Sequence, residues 1–377
     1  MRILLWTDPF WPSIGGVERL VVPMVRTLAA HGHQLLIVTN QQKSPVAQEI
    51  DLNGSRIVRL PMLEALDKRN PAEILDVQTR IATLIRDFRP DVFHLFAAML
   101  SAYFYARNYR RVRCPILYTE QTGWFRLATP NSLQRQVMDS ADWYSTCSRS
   151  SAQTLGSLFP KTTDRMSVIM NGIDFSGECV YSDPPIDPPV LLCLGRHHLE
   201  QKGFDLAVAA MPAILRRFPR ARLLIAGDGP DRARLEKMVA DMGLSQATEF
   251  VGWVHPNRVA ALIERVTLMI VPSRFDPFGL VAAEAGAGFR PCVASDLGGL
   301  AEIVEDRVTG RLVRPEDPNA IADAVCELIA HPQTLGTIGK AARQRVTRLF
   351  RFERFIQEYE DLYGKLVQSF PSRTHDR

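Results

Sequence analysis

The sequence has little that would indicate a disulfide-stabilised or zinc-binding protein. It contains no C-x-x-C pair, and its six cysteines are scattered along 377 residues. This spacing excludes a zinc knuckle and a disulfide framework, and it favours a reducing compartment. The cysteines are Cys114, Cys147, Cys179, Cys193, Cys292 and Cys326.

Long apolar runs are also missing. No segment reaches the roughly 18 uninterrupted apolar residues that a membrane-spanning helix requires. The opening run MRILLW is followed at once by Thr7 and Asp8, which predicts a first strand and no secretory signal. We therefore expect a cytoplasmic protein.

A strong excess of charge is absent, since the net charge is only +4. The excess lies in residues 1–180, with 20 Lys and Arg against 16 Asp and Glu, whereas residues 181–377 hold 25 of each. The run RNYRRVR, residues 107–113, is typical of a solvated helix end. As the alternative, this run could contact an anionic acceptor or the inner face of a membrane. No aromatic platform motif accompanies the basic residues, so nucleic acid is not expected as a partner.

The pattern of apolar runs predicts two α/β domains. Strand-like runs such as ILLW and QLLIVTN alternate with amphipathic segments at 17–31 and 71–86, which is the rhythm of a parallel sheet. SDPPIDPP, residues 182–189, interrupts this rhythm with four prolines, and the alternation then restarts. We predict an N-terminal domain over 1–181, a linker over 182–189, a second domain over 190–349, and a helix and tail over 350–377 that could pack back on either domain.

Two doubly wound sheets in tandem predict a cleft lined by strand carboxyl ends, where such folds bind ligands. A nicotinamide-dependent enzyme is the weaker alternative. No G-x-G-x-x-G opens the first helix, and AGDGP is a poor substitute for it.

PSRFDPFGLVAAEAGA, residues 272–287, carries two acids eight positions apart, Asp276 and Glu284. Asp before Pro predicts a helix that begins at Pro277 with Asp276 as its N-cap. On that helix the two acids would lie about 12 Å apart, too far for a pair that hydrolyses glycosides. Either they contact opposite ends of one elongated ligand, or they are a cap and a surface acid.

The interpretation that the two acids contact one elongated ligand has a second support. The amides of Phe278, Gly279 and Leu280 would be open at the start of this helix, where the helix dipole favours a phosphate. A ligand with a central phosphate and polar groups on both sides would fit this pattern.

Several motifs, in order, resemble the retaining glycosyltransferases of family 4, which have the GT-B fold of two facing Rossmann-like domains. The resemblance covers nearly the whole chain. It rests on GGVER (15–19), MNGID (170–174), LGRHHLEQKGFD (194–205), AGDGP, FVGW, VPSRFDPFGLVAAEAGA, SDLGGLAEIV and TGRLVRPEDP.

The resemblance implies roles for individual residues. Arg196 and Lys202 correspond to the cations that hold the donor diphosphate, and Gly15, Gly16 and Gly195 to loops that approach it. Glu284 matches the acid that binds the ribose, and Asp276 stands where the family has a Glu beside the donor sugar. Fixed cations would stabilise the charge that grows on the leaving group. For the cations and the first glycines the alternatives are surface charges and a tight turn.

The acceptor half departs from the family pattern. Gln121 stands where the family often has a His that contacts the donor sugar, and a Gln cannot carry a proton. His94 matches the first His of H-x-H, but Phe96 replaces the second. His94 is therefore either an acceptor-side residue or a structural one.

Together these motifs predict a retaining transferase that moves a sugar from a nucleoside diphosphate sugar, such as a UDP- or GDP-sugar, to an acceptor hydroxyl. The acceptor would be a glycan, a lipid-linked sugar or a small molecule. We expect no metal and no further cofactor. The alternatives are a GT-B sugar-nucleotide isomerase or phosphorylase, and a catalytically silent nucleotide-sugar-binding protein.

Overall fold

The computed structural model of the protein describes residues 1–8, 10–11, 15–41, 49–52, 54–174 and 181–370. Cys179 and the tail 371–377 lie outside these residues. The chain divides into two units, Met1–Gly172 with Glu353–Arg377, and Ile173–Phe352. The first unit therefore takes its residues from both ends of the chain.

The first unit is built on one sheet, in the order β3-β4-β2-β1-β5-β6-β7-β8. All neighbouring strands are parallel except β3 and β4, which are antiparallel. The strands are β1 Arg2–Thr7, β2 Gln34–Asn40, β3 Glu49–Leu52, β4 Ser55–Leu60, β5 Val92–Phe96, β6 Ile116–Glu120, β7 Trp143–Thr146 and β8 Met166–Val168.

Helices connect these strands and bury their apolar faces on the sheet. In α1, for example, Leu20, Met24 and Leu28 are buried at helical spacing. The helices are α1 Glu18–Ala30, α2 Met62–Lys68, α3 Pro71–Phe88, α4 Ala102–Asn108, α5 Leu133–Ser140 and α6 Arg149–Leu158, with short 3-10 turns at Tyr109–Arg111, Trp124–Leu127 and Pro160–Arg165.

The second unit has a sheet of six parallel strands in the order β11-β10-β9-β12-β13-β14. A parallel sheet covered on both faces needs continuous apolar strands, and Leu268–Val271 is buried throughout. The strands are β9 Val190–Leu194, β10 Arg222–Ala226, β11 Thr248–Gly252, β12 Leu268–Val271, β13 Cys292–Ser295 and β14 Gly310–Val313. The prediction of two doubly wound sheets is confirmed.

The helices of the second unit follow the strands in the same alternation. They are α7 Leu199–Lys202, α8 Phe204–Arg217, α9 Arg232–Asp241, α10 Pro256–Glu264, α11 Leu280–Ala287, α12 Leu300–Ile303, α13 Pro318–Ala330 and α14 Pro332–Leu349. The last helix, α15 Phe352–Ser369, belongs to the first unit except for its first residue. There the Arg354 guanidinium donates to the carbonyl oxygen of Met170 over 2.5 Å.

The proline-rich segment does not separate the units as the sequence predicted. Residues 182–189 belong to the second unit, and the boundary falls earlier, after Gly172. The buried guanidinium of Arg290 donates to the carbonyl and to the hydroxyl of Ser182, each over 3.0 Å, and the Thr267 hydroxyl donates to the carbonyl of Pro185. Prolines stop regular structure, but their carbonyl groups still accept hydrogen bonds, so this segment packs.

The helix predicted to begin at Pro277 begins at Leu280, so the assignment of Asp276 as its N-cap is wrong. Gly279 precedes the helix in a left-handed conformation, with φ of 99° and ψ of 45°. A helix cannot pass through that conformation, so residues 276–279 form a turn instead. The turn leaves the Asp276 carboxylate available for a different partner.

Candidate active site

The candidate site lies at the point of the second sheet where the strand order reverses. From β9 the chain first moves to β10 on one side and later to β12 on the other, and β9 and β12 are neighbours. In open α/β sheets, ligands bind outside the strand carboxyl ends at such a switch point. The segment between β9 and α8, called here the loop after β9, carries Arg196 and, at the end of the short helix α7, Lys202. The loop after β12 carries Asp276.

An ion pair joins these two loops. The Lys202 ammonium donates to Asp276 Oδ2 over 2.8 Å, and the Ser273 hydroxyl donates to the same oxygen over a longer 3.4 Å. The side chain of Asp276 is 9% exposed and that of Lys202 is 21% exposed. The pair is therefore shielded from bulk water, yet the ammonium can still be reached from outside.

Glycines allow the loops to pack this closely. Gly203 has φ of 63°, and a Cβ there would lie 2.1 Å from the carbonyl oxygen of Pro272. Gly299 donates its amide to the carbonyl of Asp276 over 3.1 Å, and a Cβ there would lie 2.3 Å from the carbonyl oxygen of Phe278. The KG and SDLGG motifs are thus the segments that hold the Asp276 turn in place.

Arg274 clamps the same turn from the other side. Its guanidinium forms a bidentate pair with Asp205, over 2.7 and 2.9 Å, and also donates to Glu316 over 2.6 Å. It reaches the carbonyl of Leu199 at the start of α7 over 2.7 Å. The hydrogen bond to Asp205 is the main cause that raises the pKa of Arg274. The sequence gives no signal for this role of Arg274, because its acidic partners are distant along the chain.

Arg196 provides a second cation near the ion pair. It follows Gly195, whose φ of 146° favours glycine, and its side chain is exposed. In the described part of the chain, its guanidinium forms no ion pair or hydrogen bond. Unlike Lys202, Arg196 is not held by a carboxylate, so its charge is available to an anion.

The start of α11 supplies amide donors next to this loop. Within residues 181–370 the amides of Phe278, Gly279 and Leu280 donate no hydrogen bond, and Phe278 is fixed by its ring contact with Phe350 at 5.4 Å. Glu284 lies one turn further into the helix and is 8% exposed. Leu280 and Glu284, which are predicted to contact the phosphate and the ribose, therefore lie on one helix, about 6 Å apart along its axis.

His197, in the same loop as Arg196 and Lys202, was not singled out from the sequence. Its imidazole is buried between Phe204 and Phe250, with centroid distances of 5.8 and 6.3 Å, and burial lowers its pKa. Neither ring nitrogen has a hydrogen-bond partner among the described residues. The ring is therefore neutral and fills space below the loop. This role of the first His of the HH pair could have been recognised only from the packing.

Gly15 and Gly16 lie in the first unit, before α1. A Cβ on Gly15 would lie 2.6 Å from Glu18 Oε2, so this glycine leaves room for a carboxylate beside the loop. A carboxylate is an unfavourable neighbour for a phosphate. The assignment of Gly15 and Gly16 to the donor phosphates connects residues of different units and stays a prediction.

His94 is part of the packing that holds α15. It is fully buried on β5, where Nδ1 lies 2.7 Å from the Tyr363 hydroxyl and Nε2 lies 2.6 Å from the Thr119 hydroxyl. Burial lowers the pKa of His94 to about 3, so the ring is neutral. Both nitrogens are engaged within the first unit, which favours the structural alternative for His94. An acceptor-side contact of His94 stays a prediction.

Gln121 is paired with another amide. Its Nε2 donates to Asn171 Oδ1 over 2.7 Å, and Asn171 Nδ2 donates back to Gln121 Oε1 over 2.9 Å. Both side chains are buried, and Asn171 belongs to the MNGID motif at the end of the first unit. The pair joins the end of β6 to the segment that leaves the unit. Contact of Gln121 with a sugar stays a prediction.

Comparisons with known families agree with this arrangement. A family described as Glycosyltransferase Family 4 matches residues 14–176, and one described as Glycosyl transferases group 1 matches residues 188–331. A glycogen synthase of Mycobacterium tuberculosis (strain H37Rv) is 30% identical, over 94% of this chain and 92% of its own length. A GDP-mannose-dependent alpha-(1-6)-phosphatidylinositol monomannoside mannosyltransferase of Mycolicibacterium smegmatis is 27% identical, over 90% of this chain and 92% of its own.

Solved structures share the fold. Sucrose-phosphate synthase from Thermosynechococcus elongatus has a TM-score of 0.80 at 24% identity, covering 98% of this chain and all of its own. HepE from Anabaena, solved in complex with UDP and glucose, has a TM-score of 0.76 at 18% identity, covering 97% of this chain and all of its own. These likenesses confirm the predicted GT-B class of fold.

No helix among the described residues is both long and apolar enough to span a bilayer. The same residues contain no group of three or more His, Cys, Asp or Glu side chains that could hold a metal ion.

Proposed function

This chain belongs to glycosyltransferase family 4, with a second domain of glycosyl transferases group 1, and we propose that it transfers a sugar from a nucleoside diphosphate sugar to an acceptor hydroxyl with retention at the anomeric carbon. The observation that carries the proposal is the Lys202–Asp276 pair at the switch point of the second sheet. Membership supports the transfer from a nucleotide sugar, and retention and the residue roles are our inference.

In this proposal the donor diphosphate binds between the β9 loop and the start of α11. Arg196 and the open amides of Phe278, Gly279 and Leu280 bind its oxygens, and Lys202 contacts the leaving phosphate. Fixed donors aimed at a growing charge lower the barrier most when little water is present. Because Asp276 and the packed glycines hold Lys202 in advance, the ammonium needs little reorganisation in the transition state.

The two acids of the VPSRFDPFGLVAAEAGA motif take different positions on the donor. Glu284 accepts hydrogen bonds from the ribose hydroxyls, and Asp276 lies beside the transferred sugar. Its carboxylate is held by Lys202, so it serves as a charged neighbour of the sugar and not as a covalent nucleophile. This pairing supports front-face attack, in which the departing phosphate accepts the proton of the acceptor hydroxyl.

We further propose that the reaction needs neither a metal ion nor a cofactor. In this proposal Arg196 and Lys202, both on the loop after β9, neutralise the diphosphate charge that a divalent ion would otherwise neutralise. Chelator should leave the rate of donor consumption unchanged. Loss of activity that magnesium or manganese restores would contradict this part of the proposal.

The nucleobase of the donor has to be determined by experiment, because the similar proteins are associated with two different nucleotides. The mycobacterial mannosyltransferase is named for GDP-mannose, and HepE was solved with UDP. We propose to measure thermal stabilisation by UDP, GDP and ADP and by their glucose and mannose conjugates. A ligand at about 100 times its dissociation constant adds about 2.7 kcal/mol of stability.

The expected result is stabilisation by one base class and consumption of the matching nucleotide sugar. Stabilisation without any consumption, even with a broad set of acceptors, would indicate a silent nucleotide-sugar-binding protein. No stabilisation by any of these nucleotides would contradict the proposed function. Membrane contact through residues 107–113 is a separate proposal, supported by the exposure of Arg107, Arg110, Arg111 and Arg113, and vesicle co-sedimentation tests it.

A further inference from the structure

The first sheet has its own switch point, between β1 and β5. The loops that follow these strands are joined by Asp8 and Ser101. The Ser101 amide donates to Asp8 Oδ2 over 3.2 Å, and its hydroxyl donates to the other carboxylate oxygen. The Trp6 indole in turn donates to the Ser101 hydroxyl over 2.7 Å. Within the described residues no Lys, Arg or His forms an ion pair with Asp8.

Trp11, three residues after Asp8, is held with its indole exposed. The residue is 47% exposed, although Trp is usually well buried. The Arg59 guanidinium donates to the carbonyl oxygen of Trp11 over 2.9 Å, and its central carbon lies 5.5 Å from the centroid of the indole. Arg59 itself is 2% exposed. A buried cation thus fixes both the backbone and the ring of an exposed aromatic residue.

Burial of a guanidinium is expensive, and it lowers the pKa of Arg59. A rigid indole offers a large contact area and loses little conformational entropy when a ligand covers it. Its position after β1, at the switch point, is where a doubly wound sheet binds ligands. Both observations point to a prepared binding surface.

We propose that Trp11 is a stacking platform for a saccharide acceptor, whose apolar pyranose face covers the free face of the indole. This inference rests on the proposed transferase function and adds the substrate class of the acceptor. Asp8 and Arg59 are positioning residues, which hold the loop and the ring. An uncharged sugar suits a site where the buried carboxylate is satisfied by a hydroxyl and amides. A lipid surface is less suitable, because the ring is fixed against a guanidinium and cannot reorient to insert.

The kinetic test compares wild type with Trp11→Ala, Trp11→Tyr and Leu75→Ala, the last as a control for an exposed apolar residue of the same unit. Methyl α-glucoside, methyl α-mannoside and maltotriose serve as acceptors, and donor hydrolysis by water is measured in parallel. Trp11→Ala should raise the acceptor KM roughly ten-fold, a typical loss for an aromatic contact. Its kcat, donor KM and hydrolysis rate should stay unchanged. Trp11→Tyr should restore most of the affinity, and Leu75→Ala should behave as wild type.

A second arm needs no donor. Saturation-transfer NMR should detect the bound saccharide with wild type and Trp11→Tyr, and much less with Trp11→Ala. The proposal is overturned if Trp11→Ala binds and uses saccharides as wild type does. It is also overturned if wild type hydrolyses the donor but binds none of these sugars, or if only lipid vesicles stimulate it. Failure to bind any nucleotide would instead contradict the transferase function, so the two failures are distinguishable.

Discussion

Each of the two sheets carries a buried carboxylate at its switch point, but the partners of these carboxylates differ. Asp276 in the second unit is paired with an ammonium that remains reachable from outside, whereas Asp8 in the first unit accepts from a hydroxyl and from backbone amides. The same type of fold therefore presents an accessible ammonium at one switch point, whereas at the other the buried carboxylate has no cationic partner among the described residues. The difference agrees with the proposal that the second unit binds the anionic donor and that Trp11 of the first unit binds a saccharide.

Removal of the ammonium from the second switch point should have the largest effect. Lys202→Ala should lower kcat by about 10²-fold or more, because it removes a preorganised donor to the leaving phosphate. The matched control is Lys237→Ala, which removes an exposed lysine paired with Asp241 at 2.9 Å on α9. Steady-state kinetics of both variants decide the point. A Lys202→Ala enzyme with altered KM and normal kcat would show that the assigned role is incorrect.

Neutralising the carboxylate of the same pair should have a smaller effect. Asp276→Asn keeps an oxygen for the Lys202 ammonium but removes the negative charge beside the sugar, and we expect turnover to fall ten-fold or more with little change in melting temperature. Asp241→Asn, in the exposed pair, should leave turnover as it is. Since Asp276 does not cap a helix, a fully active Asn variant could not be attributed to preserved capping and would refute the charge role.

In the first unit, the structural role of His94 can be tested against the acceptor-side role. His94→Leu leaves the buried Tyr363 hydroxyl without its partner at 2.7 Å, and should cost about 1–3 kcal/mol of stability in urea unfolding. Tyr363→Phe serves as the matched variant, and the double variant measures the coupling between them. Donor hydrolysis per folded molecule should be unchanged. A stable His94→Leu protein with impaired turnover would place His94 in the site after all.

The smallest effect concerns the pH dependence of stability. Burial raises the pKa of Asp8 above its usual value. The folded state therefore binds this proton more tightly than the unfolded state does. The stabilising contribution is present below about pH 4 and is lost as the pH rises through the folded pKa.

Asp8→Asn should remove that part of the pH dependence, so the stability of wild type relative to the variant should decline as pH rises above about 4. Urea unfolding across the acidic to neutral range measures this difference. The control is Asp87→Asn, which changes an exposed carboxylate paired with Arg86. A difference that is flat with pH, or that grows, would contradict an Asp8 carboxylate without a cationic partner.

The sequence was sufficient for those features that depend on local pattern. Buried parallel strands read as apolar runs, and the loop that carries Arg196 and Lys202 and the helix of Glu284 were found from motif order. The start of α11 was predicted three residues too early, because an Asp-Pro pair favours a helix start whereas the left-handed Gly279 prevents one.

Features that depend on distant partners could not be predicted in this way. The Lys202–Asp276 pair spans 74 positions and the Arg274–Asp205 pair spans 69. The position of His94 depends on a tyrosine 269 residues later in the chain. Only the folded chain shows which charges are paired, and the difference between the two switch points rests on those pairs.

In the proposed mechanism Lys202 interacts more strongly with the leaving diphosphate than with the intact donor. Calorimetric titration in the presence of chelator can measure the affinity of wild type and Lys202→Ala for the nucleoside diphosphate and for the corresponding nucleotide sugar. Because the free diphosphate carries the charge that develops in the transition state, we expect Lys202→Ala to weaken its binding at least ten-fold more than it weakens donor binding. Equal weakening of both ligands, or no weakening of either, would contradict this mechanism.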